Sequence, residues 1–233
     1  MLDFHNHLLP GIDDGSPNPE TSLILAKGLV ELGFTQFICS PHIIADTHPN
    51  NPETIAKAAA ILNQFAENNS FNHSFGYIAE YMIDDVFRSQ LKQKTQFLTF
   101  GNQKILTEFS YIQKPDHIEH VTFELQMQGY EPILAHPERY IYYHNNLGFY
   151  EYLKDLGFEL QLNLLSLTPY YGKEVQKVAN HLLKKGMYDF ICTDMHHERH
   201  LQALQDFFSA EDLQDLYASP GIKNHKLLQK PQN

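Results

Sequence analysis

Nine side chains able to ligate a metal, His5, His7, Asp14, His42, Glu80, Glu108, His136, Asp194 and His196, are spread over the 233-residue chain with a shared placement. Nearly all stand where a short apolar run ends and a loop begins, in the strings LDFHNH, FICSPH, GYIAE, ILTEF, PILAH and FICTDMH. An element built for burial thus delivers a histidine or carboxylate to one rim again and again. A scaffold of strands assembles a multinuclear metal centre in this way.

The elements that must position these residues can be read from the intervening chain. A unit of helix, glycine, aromatic residue and strand recurs as VELGFTQFICS, MQGYEPILAH, DLGFELQLNL and KKGMYDFICTD, with Gly33, Gly129, Gly157 and Gly186 where a left-handed residue closes a helix. Apolar stripes of helical period precede it: Leu25, Leu29 and Leu32, then Ile118, Val121 and Leu125, then Val175, Val178 and Leu182. Asn51 before Pro52 reads as a helix cap, and Asp116 with Glu119 has capping-box spacing. Strand and helix alternate about seven times, and strands apolar on both faces call for a parallel sheet. Ligands drawn from nearly every strand must meet at one point, so the expected fold is a closed or distorted α/β barrel with its chemistry at the C-terminal rim. We expect a single domain over residues 1–218 and a lysine-rich tail over 219–233, with a blurred, polar stretch between Tyr81 and Phe100.

Composition narrows the functional classes. Seventeen basic against 28 acidic side chains give a net charge of −11, which argues against a nucleic-acid partner. No apolar stretch approaches the roughly 18 residues of a membrane span, so no membrane insertion is expected. The chain enters a strand-like motif at once, without a signal-like segment, and the expected location is cytoplasmic. Cys39 and Cys192 each lie inside an apolar run and read as buried, reduced core thiols.

Four ordered motifs, DFHNHLLPGIDDG, SPH at 40–42, HPERY at 136–140 and TDMH at 193–196, resemble the PHP superfamily, named for polymerase and histidinol phosphatase. The LLPGIDDG and AHPERY strings narrow the resemblance to bacterial PHP-type protein tyrosine phosphatases of the capsular and exopolysaccharide family. It spans positions 3 to 199, with Met195 and Ser40 standing where the family pattern has alanine and threonine.

The resemblance implies a distorted (β/α)7 barrel and three divalent ions. His5, His7, Glu80 and Asp194 would hold the first, and Glu80 would bridge to a second completed by Glu108 and His136. Asp14, His42 and His196 would hold the third. A nitrogen and oxygen donor set without cysteine suits manganese, iron or zinc in a working centre, and the family branch points to manganese. Four ligand carboxylates against three divalent ions leave a charge of about +2, fit for a phosphate.

The chain has three arginines, Arg88, Arg139 and Arg199, and two of them follow a metal motif by three residues, as Arg139 follows His136 and Arg199 follows His196. Their planar fork clamps phosphate oxygens as lysine cannot. The implied reaction is attack of a metal-bound hydroxide on phosphorus, with Arg139 and Arg199 stabilising charge and His42 as a weaker candidate for proton transfer. The implied partner is a phosphotyrosine-bearing bacterial tyrosine kinase that controls capsule or exopolysaccharide synthesis, and a homo-oligomer is left open. Two other readings stand beside it: a small-molecule phosphomonoesterase such as a histidinol phosphatase, and a noncatalytic PHP regulatory module. Among the remaining residues, Asp13 and Glu138 read as supporting groups, and His197 and His200 as solvent-facing. Tyr140, Tyr142, Tyr143, Tyr170 and Tyr171 read equally well as pocket walls or as loop packing.

Overall fold

A computed structural model of the protein describes residues 1–101 and 103–228. In chain order the elements are β1 (Leu2–Asp3), α1 (Pro19–Glu31), β2 (Gln36–Cys39), β3 (His42–Ile43), α2 (Pro52–Asn68), β4 (Phe75–Tyr77), β5 (Glu80–Met82) and α3 (Asp85–Lys92). There follow β6 (Lys104–Glu108), α4 (Ile118–Met127), β7 (Glu131–Ala135), α5 (Gly148–Asp155), β8 (Glu159–Asn163), α6 (Lys173–Lys184), β9 (Phe190–Cys192), α7 (Glu198–Phe207) and α8 (Ala210–Tyr217). The blurred stretch after Tyr81 contains α3.

Every strand pair is parallel, in two sheets ordered β1-β2-β4 and β3-β5-β6-β7-β8-β9. The two sheets are one barrel wall. β2 runs on into β3 across Ser40 and Pro41, β4 runs on into β5 across Ile78 and Ala79, and the breaks are bridged by Ile78 N to Cys39 O (2.8 Å) and Glu80 N to Pro41 O (3.0 Å). The nine strands therefore make seven staves. The wall closes where an Asn6–Met195 parallel bridge joins the first stave to the last, with Asp194 N donating to His5 O (2.7 Å) and His7 N to Met195 O (2.8 Å). This is the distorted α/β barrel expected from the alternation.

Alternate residues of each strand serve two cores, as a pleat of period two requires. Leu106, Ile133, Ala135, Phe190 and Cys192 join Phe4 in an inner cluster, while Ile105, Leu134, Leu160, Leu162 and Ile191 pack with the helices. Glu108 shares the parity of Leu106 and so sits above it on the inner face. The three apolar helix stripes are buried. Asn18 and Asn51 cap α1 and α2 ahead of a proline, and Thr54 returns a bond to Asn51 to complete a capping box. Gly33, Gly129, Gly157 and Gly186 all have positive φ. The capping box expected from Asp116 and Glu119 does not form: the cap position falls on His117 at φ 58°, a left-handed backbone rather than the extended one a capping side chain needs. Both cysteines are buried and free.

At the strand starts, opposite the ligand rim, lies a belt of ion pairs. Lys104 meets Glu131 and Glu159, Lys154 meets Asp189, and Lys223 meets Glu159 (2.8 Å) and Asp189 (2.7 Å). Lys223 belongs to the segment expected to be a tail, so packing runs past residue 218. Ile222 is buried, and the Asn224 side chain bonds both the N–H and the carbonyl of Ile191. The rest of that segment, from residue 229, lies outside the described residues. Among the described residues no helix is long and apolar enough to cross a membrane.

Burial alone would raise the Asp189 carboxyl, but Lys154, Lys223 and the Leu160 N–H outweigh it and hold it below its ordinary value of 3.8. A depressed folded-state value contributes stability above the unfolded value and loses it as pH falls through the folded one. Asp189→Asn is therefore expected to lower urea stability by about 1–2 kcal/mol at pH 7. That difference narrows as pH falls below 3.8. A pH-independent difference would contradict the ionic account.

Candidate metal centre

All nine expected ligands arrive at the C-terminal ends of the staves. His5 and His7 follow β1, Asp14 lies in the loop beyond, and His42 and Glu80 open β3 and β5 as register partners. Glu108 ends β6, His136 follows β7, and Asp194 and His196 follow β9. His136 (φ 36°) and Asp194 (φ 51°) take left-handed backbones despite their side chains. Such conformations cost about 1–3 kcal/mol and persist where surrounding structure over-determines them, typically at working sites.

Glu80 is the hub. Its carboxylate lies 3.3 Å from His5 Nε2, 3.5 Å from His7 Nε2, 3.0 Å from His42 Nδ1 and 3.1 Å from His136 Nε2. Asp194 Oδ1 is 3.3 Å from both His5 Nε2 and His7 Nε2, and 3.5 Å from His196 Nδ1. Glu108 is 3.0 Å from His42 Nδ1. Asp14, 58% exposed where Glu80 and Glu108 are buried, reaches His42 and His196 at 3.5 Å each.

Donor atoms close enough to share an ion fall into four overlapping groups: His7, Asp14, His42 and His196; His5, His7 and Glu80; His5, His136 and Asp194; and His42, Glu80 and Glu108. These groups cut across the partition implied by the resemblance, with His7 also joining Asp14, His42 and His196. Glu108 groups with His42 and Glu80, although His42 is level with Glu80 and Leu106 in the β3–β5–β6 register, while His136 groups with His5 and Asp194.

The outward ring nitrogens are already taken. His5 Nδ1 donates to Gln161 Oε1 (2.8 Å), His7 Nδ1 to Asp13 Oδ2 (2.8 Å) and His196 Nδ1 to the Asp194 carbonyl (2.8 Å). Such bonds fix the tautomer and aim the other nitrogen's lone pair inward. Buried polar atoms are normally hydrogen-bonded. Here His5 Nε2, His7 Nε2, His42 Nδ1, Glu80 Oε2 and Glu108 Oε1 are all buried with no hydrogen-bond partner, and all face one another. Nitrogen and carboxylate donors orphaned around one point fit divalent cations.

The electrostatics agree. Burial opposes charge on Glu80 and Asp194, yet the surrounding histidines, His5 foremost, hold both carboxyls well below the usual range. Burial pulls His5 down, and the Glu80 and Asp194 carboxylates outweigh it and push it to about 10. Cations in place of those protons would satisfy the same carboxylates and leave the imidazoles neutral, the state in which they ligate.

The cluster floors a cavity of about 240 Å³ lined by Asp14, His42, Tyr111, His136, Arg139, Tyr171, Asp194, His196, His197 and His200. Arg139 stands on a 3-10 turn directly after His136, with NH1 2.8 Å from Asp194 Oδ2. Arg199 does not reach the cavity. It lies exposed on the first turn of α7, which His197 caps, and the inward position passes to the next residue, His200. The expectation that His197 and His200 face solvent fails: both line the cavity, and His200 is 6% exposed. Burial first, together with the nearby Arg139 guanidinium, pushes His200 down to about 3.

Asp13 supports His7 as expected, and Glu138 is a buried acceptor for Asn163 N (3.0 Å) and Tyr188 OH (3.0 Å). Of the tyrosines singled out, Tyr171 lines the cavity, Tyr170 packs edge-on to His200, Tyr140 bonds the Ala135 carbonyl at the end of β7, and Tyr142 bonds the Ser110 carbonyl. Sequence reasoning missed Tyr111, Gln161 and Asn163, whose Nδ2 donates to Asp194 Oδ2 (2.8 Å). Signals existed for each. Tyr111 follows Glu108 by three residues as Arg139 follows His136, and Gln161 and Asn163 alternate with Leu160 and Leu162 on the polar side of their strand.

Comparison with known proteins places this geometry in company. Residues 1–205 match the family model described as capsular polysaccharide synthesis, CpsB/CapC. The chain is 29% identical over 197 residues to tyrosine-protein phosphatase YwqE of Bacillus subtilis, covering 84% of this chain and 77% of that protein. It is 26% identical over 202 residues to tyrosine-protein phosphatase CpsB of Streptococcus agalactiae serotype V, covering 84% and 83%. A solved structure from work on YwqE of B. subtilis and CpsB of Streptococcus pneumoniae, described as unique metal-dependent tyrosine phosphatases, superposes with a TM-score of 0.80 at 26% identity. That match covers 100% of this chain and 96% of the other. The lactonase Lmo2620 of Listeria monocytogenes, at 11% identity and a TM-score of 0.52 over 98% of this chain and 91% of its own, shares the fold alone.

Proposed function

Because the chain belongs to the CpsB/CapC family of capsular polysaccharide synthesis, we propose that it is a metal-dependent protein tyrosine phosphatase. Its substrate is phosphotyrosine on a bacterial tyrosine kinase that controls capsule or exopolysaccharide synthesis, in the cytoplasm. The observation that carries this reading is the ring of orphaned buried donors on His5, His7, His42, Glu80 and Glu108 beside the Arg139 guanidinium.

We assign His5, His7, Asp14, His42, Glu80, Glu108, His136, Asp194 and His196 as ligands of three divalent ions, manganese by preference, with Glu80 shared between sites. Such ions supply Lewis-acid charge to phosphoryl oxygens and lower the pKa of water at neutral pH. The chain's own residues do the rest. Arg139 presents its free N–H donors to the phosphoryl group, where charge spreads over the equatorial oxygens. Asp194 fixes the guanidinium from behind, and Asn163 fixes Asp194. Gln161 and Asp13 hold His5 and His7 in the ligating tautomer. A tyrosine phenol has a pKa near 10, so its phenolate leaves more readily than an alkoxide.

The test is turnover of a phosphotyrosine peptide, histidinol phosphate and a phosphodiester side by side, with manganese present. The expected result is a kcat/KM at least tenfold higher for the peptide than for either alternative. Equal turnover, or preference for histidinol phosphate, would move the assignment to a small-molecule phosphatase. Bound metal with no hydrolysis of any ester would make the chain a regulatory module.

A further inference from the structure

Arg139 is the one arginine at the cavity, and a long side chain with freedom to rotate makes a poor clamp unless something holds it. Its guanidinium carbon lies 4.8 Å from the ring centroid of Tyr111 and 4.2 Å from that of Tyr171, both inside the roughly 6 Å reach of cation–π attraction. The rings come from different loops. Tyr111 follows the end of β6, while Tyr171 lies beyond β8 and the 3-10 turn Leu164–Leu167. Both line the cavity. Among the described residues the only hydrogen bond made by the Arg139 side chain is NH1 to Asp194 Oδ2, so the remaining donors of its planar fork are open.

We propose that Tyr111 and Tyr171 are positioning residues that hold the Arg139 guanidinium by its π faces, leaving its N–H edge aimed at a phosphoryl group in the cavity. This rests on the phosphatase reading above. Phenyl rings suit the task because they attract the cation without occupying a donor, whereas a second carboxylate would compete with the phosphate for the same fork. The arrangement is tied to the ligand cluster as well. Asn163 Nδ2 donates to Asp194 Oδ2 (2.8 Å), the oxygen that also receives Arg139, so the carboxylate and the guanidinium share one reference point. The fork's orientation is then set before substrate arrives, and its rotational freedom is not lost in the productive complex.

The idea makes the tyrosines' effect conditional on Arg139, which a double-mutant cycle reads directly. Tyr171→Ala and Tyr111→Ala are each expected to lower kcat/KM for a phosphotyrosine peptide about tenfold, a loss in the range of a desolvated cation–π contact. Bound metal per chain should stay at the wild-type level. Tyr171→Phe and Tyr111→Phe, which keep the ring and lose the hydroxyl, should stay within about twofold of wild type, and either alanine change in an Arg139→Ala background should add less than about twofold. The Kd for inorganic phosphate, measured on the same manganese-loaded proteins, should follow the same pattern and keeps the cycle readable if the peptide is not a substrate. A phenylalanine variant as impaired as the alanine would overturn the proposal by assigning the work to the hydroxyl. So would a full tenfold loss in the Arg139→Ala background, which would mean that the ring acts on substrate or fold directly.

Discussion

Asp194→Ala is expected to lower turnover of a phosphotyrosine peptide by about a thousandfold or more. Stabilisation by metal charge is worth several kcal/mol, and each ~1.4 kcal/mol is a factor of ten in rate. Few side chains here do so much at once. Oδ1 lies 3.3 Å from both His5 Nε2 and His7 Nε2, and Oδ2 receives Arg139 and Asn163 at 2.8 Å each. On the proposed assignment alanine removes a ligand and the Arg139 contact together. Asp194→Asn, nearly the same shape without the charge, separates loss of chemistry from loss of fold. It should retain the wild-type circular dichroism spectrum yet hold less manganese per chain and share the activity loss. His136→Ala should behave as Asp194→Ala does. Wild-type turnover in either residue's variants would remove that residue from the ligand set.

Arg139→Ala is expected to cost about 10²–10³ in kcat/KM, the range seen when one preorganised donor to developing charge is lost. Metal content should hardly change, because Arg139 touches the centre only through Asp194. Arg139→Lys should recover little: an ammonium keeps the charge but cannot offer a planar fork to two phosphoryl oxygens. Arg199→Ala should stay near wild type, since that side chain is exposed outside the cavity. Full recovery by lysine would reduce Arg139 to a point charge, and a large loss at Arg199 would mean that α7 moves in the working enzyme.

Much of this centre is legible in the amino-acid sequence, for a physical reason. Strands buried on both faces tolerate a histidine or carboxylate only at their ends, so polar residues closing runs such as ILTEF and PILAH announce a rim. The barrel follows from the need for convergence. The glycines that close helices are equally legible, because a positive φ leaves few alternatives. Three-dimensional neighbours are less so. The inward turn of His200 and the outward turn of Arg199 differ by one helical position, which depends on where α7 is capped, and sequence spacing from His196 carries no such information. The strand breaks at Ser40–Pro41 and Ile78–Ala79 are not legible, because FICSPH and GYIAE each read as one continuous run. Partition of nine donors among ions is the least legible, since Glu80 and His42 stand between groups whose membership depends on register to within about an ångström.

The barrel's seam has a consequence for how the protein comes into being. Asp3 accepts from both the N–H and the hydroxyl of Thr193, 190 residues away, and the Asn6–Met195 bridge sits beside them. On the proposed assignment the first two ligands and the last two are therefore born at opposite ends of translation. Their meeting closes nearly the whole chain into a loop, an entropic cost that grows slowly with length. On that assignment a chain that stops short of residue 194 lacks Asp194 and His196 and cannot complete the set, so metal loading would depend on the ring having shut.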